Sequence, residues 1–274
     1  MTPAVVEEVA QPSPAVEEVA QPSPAVEEVA QPSPAVEEVA QRPSRDPRPS
    51  LVTVAHGTRT AAGNDVARAL TAGAARRLGW EATTSYVELC EPLFADVVAA
   101  VATPAVAVPL LLSTGYHLRQ DLPAAVLAAG RDDLRLGRSL GPDRLLAAAQ
   151  VDHLRAAGAT PGQPVVMVAA GSTDPAAAAD LDTAAHLLAH AWGAPVRLAT
   201  LSGRGPRLAE VVRAGDAVAP YLLATGHFHR KARHDALAAG ASVVAEVIGP
   251  HPLVVELVVE RALALAPAVV RASA

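Results

Sequence analysis

From Leu51 onward, short apolar runs rich in valine alternate with Ala/Leu/Arg segments of helical length. The runs LVTVA (51–55), TTSYVEL (83–89), AVAVPLLL (105–112) and roughly 133–138 predict strands. Helices are predicted over 62–78, 92–102, 121–129 and 143–157. Strands that are apolar without alternation belong in a parallel sheet covered on both faces, and the βαβα order supplies the covering helices.

The pattern then recurs. Strands are predicted at 165–170, 195–201, 217–224 and 242–248, with helices between them and a last helix at 251–265. AHGT (55–58) matches AAGS (169–172), PLLLSTGYH (109–117) matches PYLLATGHF (220–228), and LGPDRLL (140–146) matches IGPHPLV (248–254). The offsets are 114, 111 and 108 residues and keep their order, as a duplicated α/β domain would. The expected architecture is two tandem α/β domains, 51–160 and 161–274, each a parallel sheet of about four strands flanked by helices.

Residues 1–50 have another character. QPSPAVEEVA repeats every ten residues, and its prolines leave segments too short for a stable helix. A disordered, semi-extended tail is expected there. Its composition also corrects the net charge of −6, because the first 50 residues hold eight glutamates and one aspartate against three arginines. The remainder is neutral and carries no electrostatic footprint for nucleic acid. No apolar run approaches the roughly 18–20 residues of a membrane span, and no signal peptide is apparent, so a cytoplasmic protein is expected. The single cysteine, Cys90, excludes an internal disulfide framework and an all-cysteine metal site.

In a parallel α/β sheet, ligands collect outside the carboxyl ends of the strands. His56 follows the first strand directly, His117 lies five residues beyond the third, and Glu88 ends the second. The three can converge on one sheet edge. Two imidazoles and a carboxylate suit Fe²⁺, Co²⁺, Ni²⁺ or Zn²⁺. They could equally serve as proton acceptors. Glu88 could instead cap the helix expected after Glu91-Pro92.

VAHGTR, YVELCEPLFADVV (86–98) and PLLLSTGYHLRQDLP (109–123) together resemble the sirohydrochlorin chelatases, the small class II tetrapyrrole chelatases of cobalamin and sirohaem synthesis. The resemblance spans 51–270 and corresponds to the long, two-copy form of that family. It implies insertion of Co²⁺ or Fe²⁺, with Ni²⁺ a third candidate, into the carboxylate-rich macrocycle sirohydrochlorin, with the metal as substrate and no permanent cofactor. It also implies that His56 and His117 ligate the metal and accept the pyrrole protons, with Glu88 adding charge or accepting a proton. Arg59 and Arg119, each near a motif histidine, are candidates for bidentate contacts to substrate carboxylates. A monomer is expected, since two fused copies supply internally the interface that a single copy makes by dimerising.

The second copy departs from the motif. Ala170 stands where the first has His56, and Phe228 where it has His117. His227 and His229 flank Phe228, but the expected role of this half is to complete the cleft. His186 and His190, four apart on a predicted helix, are read as surface or packing residues. Asp143 occupies the place of His251 and is read as a helix cap. Two rivals remain: a non-catalytic metal-delivery protein of the same fold, and a histidine phosphatase suggested by AHGTR. The phosphatase lacks the phosphate-holding arginine before the histidine, where Ala55 stands.

Overall fold

The structure is a computed structural model that describes residues 48–267. The tail expected over 1–50 therefore lies outside the described residues except for its last three positions, of which Ser50 already opens the first strand. The first half runs β1 (Ser50–Ala55), α1 (Ala61–Leu78), β2 (Ala82–Tyr86), α2 (Phe94–Ala100), β3 (Ala105–Pro109), α3 (Leu122–Ala128), β4 (Leu134–Leu136) and α4 (Arg144–Ala156). The second runs β5 (Val165–Ala169), α5 (Pro175–Trp192), β6 (Val196–Thr200), α6 (Leu208–Val211), β7 (Ala217–Tyr221), α7 (His227–Ala238), β8 (Val243–Val244) and α8 (Pro252–Leu265).

Each half forms one four-stranded parallel sheet, ordered β2-β1-β3-β4 and β6-β5-β7-β8. The registers correspond, Ala55 opposite Tyr86 in the first and Ala169 opposite Thr200 in the second. These are the two tandem α/β domains that the sequence predicts.

Period-two alternation explains why β1 is buried throughout. Leu51 and Ala55 face the core shared by both halves, while Val52 and Val54 face a separate cluster with Phe94, Val98 and Leu122. In β5 the same alternation sends Val165 and Met167 into the shared core and Val166 and Val168 to an outer cluster with Leu208 and Ala232. Complete burial of each such side chain stabilises the fold by about 1.5–3 kcal/mol.

Between the halves, α1 packs on α8, α5 on α4, and α4 on α8. The approach of α1 to α8 is close: a Cβ on Gly73 would stand 2.9 Å from Val255 Cγ2. Asp143 is a helix cap, as expected. One oxygen accepts the Leu145 N–H at 3.0 Å, and the other takes the buried Arg261 of α8 at 2.8 Å. His251 caps α8 at the matching place, its Nδ1 accepting the Leu253 N–H.

Several strands are shorter than their apolar runs. β3 stops at Pro109 rather than 112 because β1 ends at Ala55, and beyond Leu110 the ladder with β1 has no further partner. In β8 only Val243 and Val244 pair as strand; Ala245, Val247 and Ile248 are apolar because they pack into the cores. Among the described residues no helix is long and apolar enough to cross a membrane.

Candidate functional site

β1 delivers His56 to the carboxyl edge of its sheet, and the next residue fixes the loop. Gly57 has φ +93°, and a Cβ there would lie 1.8 Å from the Glu88 carbonyl oxygen. The loops after β1 and β2 therefore touch, and Glu88 N–H donates to the His56 carbonyl at 3.1 Å. That contact sets the Glu88 carboxylate beside the imidazole, with Oε1 3.6 Å from His56 Nε2. Buried Asn64 closes the β1 loop, accepting the Thr58 N–H and donating to the Thr58 carbonyl. Glu88 is not a helix cap; the N-cap of α2 is Leu93, whose N–H donates to the Glu91 carboxylate just before the helix.

His117 arrives from the third strand on a single π-helical turn, His117–Asp121, that runs into α3. Its Nδ1 lies 2.6 Å from Asp121 Oδ2. The carboxylate accepts the Nδ1–H and leaves Nε2 with its lone pair, the arrangement that orients metal-binding histidines elsewhere. The His56 and His117 rings meet edge to face with centroids 4.8 Å apart. One ligand atom each from His56, Glu88 and His117 fall within 4.8 Å of one another, the one such group among the described residues. Ligands around an ion at about 2.0–2.2 Å stand closer together than that. The three are spaced so that small side-chain movements would close them on a cation.

The second half holds the loop that carries His117. Tyr221 donates its hydroxyl to the Leu112 carbonyl at 3.0 Å, and the Asp180 carboxylate accepts the Thr114 N–H at 2.6 Å. Burial, with Asp180 and Asp143 nearby, pushes the Tyr221 hydroxyl far above its usual pKa, so it remains a donor. Arg119 is ion-paired with Asp174, the N-cap of α5. Arg59 is exposed and has no ion-pair partner among the described residues. Of the two arginines expected to meet substrate, only Arg59 is open. Of the expected helical pair, His186 hydrogen-bonds the Asp182 carbonyl, and both His186 and His190 are exposed.

A cavity of about 680 Å³ opens above the sheet edges and is lined by both halves. Its volume lies within the roughly 300–1,000 Å³ of ligand pockets. Four histidines line it, His56 and His117 from the first half and His227 and His229 from the second, with no lysine or arginine. The second half repeats the scaffold without the donors. Ser202 N–H donates to the Ala170 carbonyl at 2.9 Å as Glu88 does to His56, and a Cβ on Gly171 would lie 2.0 Å from Ser202 O. All three donors are thus replaced, by Ala170, Ser202 and Phe228. Sequence reasoning missed Ser202 and gave Asp121 no role. The offset of 114 residues set by AHGT and AAGS points to the first, and the His–Asp spacing of four on a helix to the second.

The CbiX family model matches the chain twice, over residues 50–157 and 164–265. No curated protein matches it in sequence. Among solved structures it is similar to SirB from Bacillus subtilis with Fe³⁺, at 23% identity and TM-score 0.69, covering 80% of this chain and 96% of that one. SirB from Bacillus subtilis subspecies spizizenii in complex with cobalt is similar at 24% identity and TM-score 0.69, over 80% and 95%. CbiX, described as the terminal enzyme of sirohaem biosynthesis in denitrifying bacteria, is similar at 23% identity and TM-score 0.59, over 78% and 97%. At these identities the solved structures show the fold, and the twofold family match shows the lineage. The chain belongs to the CbiX family, the sirohydrochlorin chelatases, as a member with two copies of the domain.

Proposed function

We propose that this protein inserts a divalent metal, Co²⁺ or Fe²⁺, into sirohydrochlorin. The observation that carries the reading is the His56–Glu88–His117 donor set, whose two histidines line a two-sided cavity large enough for an organic ligand. Solved relatives that hold iron or cobalt support it.

The chemistry follows from the donors. Two neutral imidazoles and one carboxylate bind a borderline cation weakly enough to surrender it, where four thiolates would hold it. The Asp121 carboxylate keeps His117 with Nε2 toward the ion. The macrocycle must lose two pyrrole protons as it gains the metal, so the site needs proton acceptors as well as ligands. We assign contacts with peripheral carboxylates to Arg59, which is exposed next to the lining residue Thr58; Arg119 would first have to leave Asp174. We read the protein as a cytoplasmic monomer, in which the second copy supplies the facing wall.

The test is anaerobic mixing of the protein with sirohydrochlorin and Co²⁺ or Fe²⁺, following the absorption of the macrocycle. Metallation faster than the uncatalysed reaction supports the reading. Metal binding without turnover would make it a delivery protein, and hydrolysis of a phosphate ester would make it a phosphatase.

A further inference from the structure

His229 lies in the first turn of α7, on the wall of the cavity that the second half contributes. Its side chain is 12% exposed, and its Nε2 is buried with no hydrogen-bond partner. That nitrogen stands 3.7 Å from Oε2 of Glu246, whose side chain is 64% exposed. Glu246 is not part of the cavity lining, so the pair runs from the cleft to solvent. At the corresponding offsets the first half has Leu118 and Arg138. Leu118 packs against the outer core cluster. Both members of the pair are therefore peculiar to the second half.

We propose that His229 and Glu246 form a proton exit for the metallation reaction, an inference that rests on the function proposed above. When His56 and His117 hold the incoming cation, His117 uses one nitrogen on the metal and the other on Asp121, and His56 has given up a lone pair. A base outside the ligand set is then needed. A pyrrole N–H bond of the macrocycle breaks, and an N–H bond forms on the His229 imidazole. The proton passes to the Glu246 carboxylate, 3.7 Å away, once the pair closes to hydrogen-bond reach or through one bridging water, and on to solvent; His229, neutral again, takes the second pyrrole proton by the same route. Charge balances, because the macrocycle releases two protons for each divalent ion it takes. The second copy, stripped of metal donors, then does more than wall the cleft.

The test is single-turnover cobalt insertion by the full chain carrying His229→Ala, beside wild type. The expected result is a loss of about tenfold or more, with Co²⁺ affinity measured without the macrocycle unchanged. A hindered pyridine base, which accepts protons but is too crowded to ligate cobalt, should recover the rate to within about threefold of wild type. Glu246→Gln, at an exposed position that leaves the packing alone, should slow insertion by about threefold or more. A His229→Ala rate within about twofold of wild type, or a loss that tracks Co²⁺ affinity, overturns the proposal. So does an unaffected Glu246→Gln variant, which decides the matter should His229→Ala not fold. If wild type itself shows no insertion above the uncatalysed rate, the chelatase reading fails first and this one with it.

Discussion

Asp121 Oδ2 accepts the Nδ1–H of His117 at 2.6 Å, and this bond decides which ring nitrogen faces the cleft. Replacing Asp121 with Ala frees the ring to turn and to change tautomer. Co²⁺ affinity should then fall by about 10–100-fold, the scale seen when the partner of a ligating histidine is lost. Titration calorimetry on the variant, with unchanged far-ultraviolet circular dichroism, checks this.

The donor set itself should be visible without substrate. Wild type should bind cobalt through His56, Glu88 and His117, and His56→Ala should weaken that binding more than Glu88→Gln does. His186→Ala should leave it alone, because His186 hydrogen-bonds its own helix on an exposed face. Cobalt absorption bands during titration separate these variants. Binding that survived His56→Ala intact would move the metal site elsewhere.

Gly57 and Gly171 make the same backbone contact in the two halves, yet only Gly57 lies beside the donor set. Alanine at either position combines positive φ with a Cβ driven into a carbonyl oxygen. Each should cost about 1–3 kcal/mol, and at roughly 2–4 °C per kcal/mol for this size the melting temperature should drop by several degrees. Only Gly57→Ala should also weaken cobalt binding, since it pushes Glu88 away from His56. Equal effects on metal affinity would contradict the assignment of the site to the first half.

His251 makes one contribution to stability dependent on pH. Burial lowers its pKa below the usual 6.5, nearby His153 lowers it further, and Asp152 partly opposes them. The folded state therefore binds the proton less readily than the unfolded chain does. Its share of stability is present above pH 6.5 and is lost as pH falls through the folded value. Denaturant midpoints measured downward from neutral pH should show a fall that His251→Asn, which keeps a capping side chain, reduces. A variant with the wild-type pH dependence would rule His251 out as the source.

His56 and Glu88 were legible because apolar strands of a parallel sheet announce their ends, and the chain places both just beyond such ends. What the sequence hid was long-range pairing. Arg119 sits 55 residues from Asp174, and Tyr221 reaches back 109 residues to Leu112. No periodicity records either contact. Strand lengths were overread for a related reason: residues such as Ile248 are apolar for packing, and hydropathy cannot distinguish that from a ladder position. The π turn at His117 was also invisible, since it depends on how β3 feeds α3 rather than on residue type.

The most direct measurement is the initial rate of sirohydrochlorin metallation by wild type, His56→Ala and His117→Ala under identical anaerobic conditions. The account predicts metallation well above the uncatalysed rate for wild type, and a loss of about a hundredfold or more in each variant. Variants that metallate as fast as wild type would contradict it.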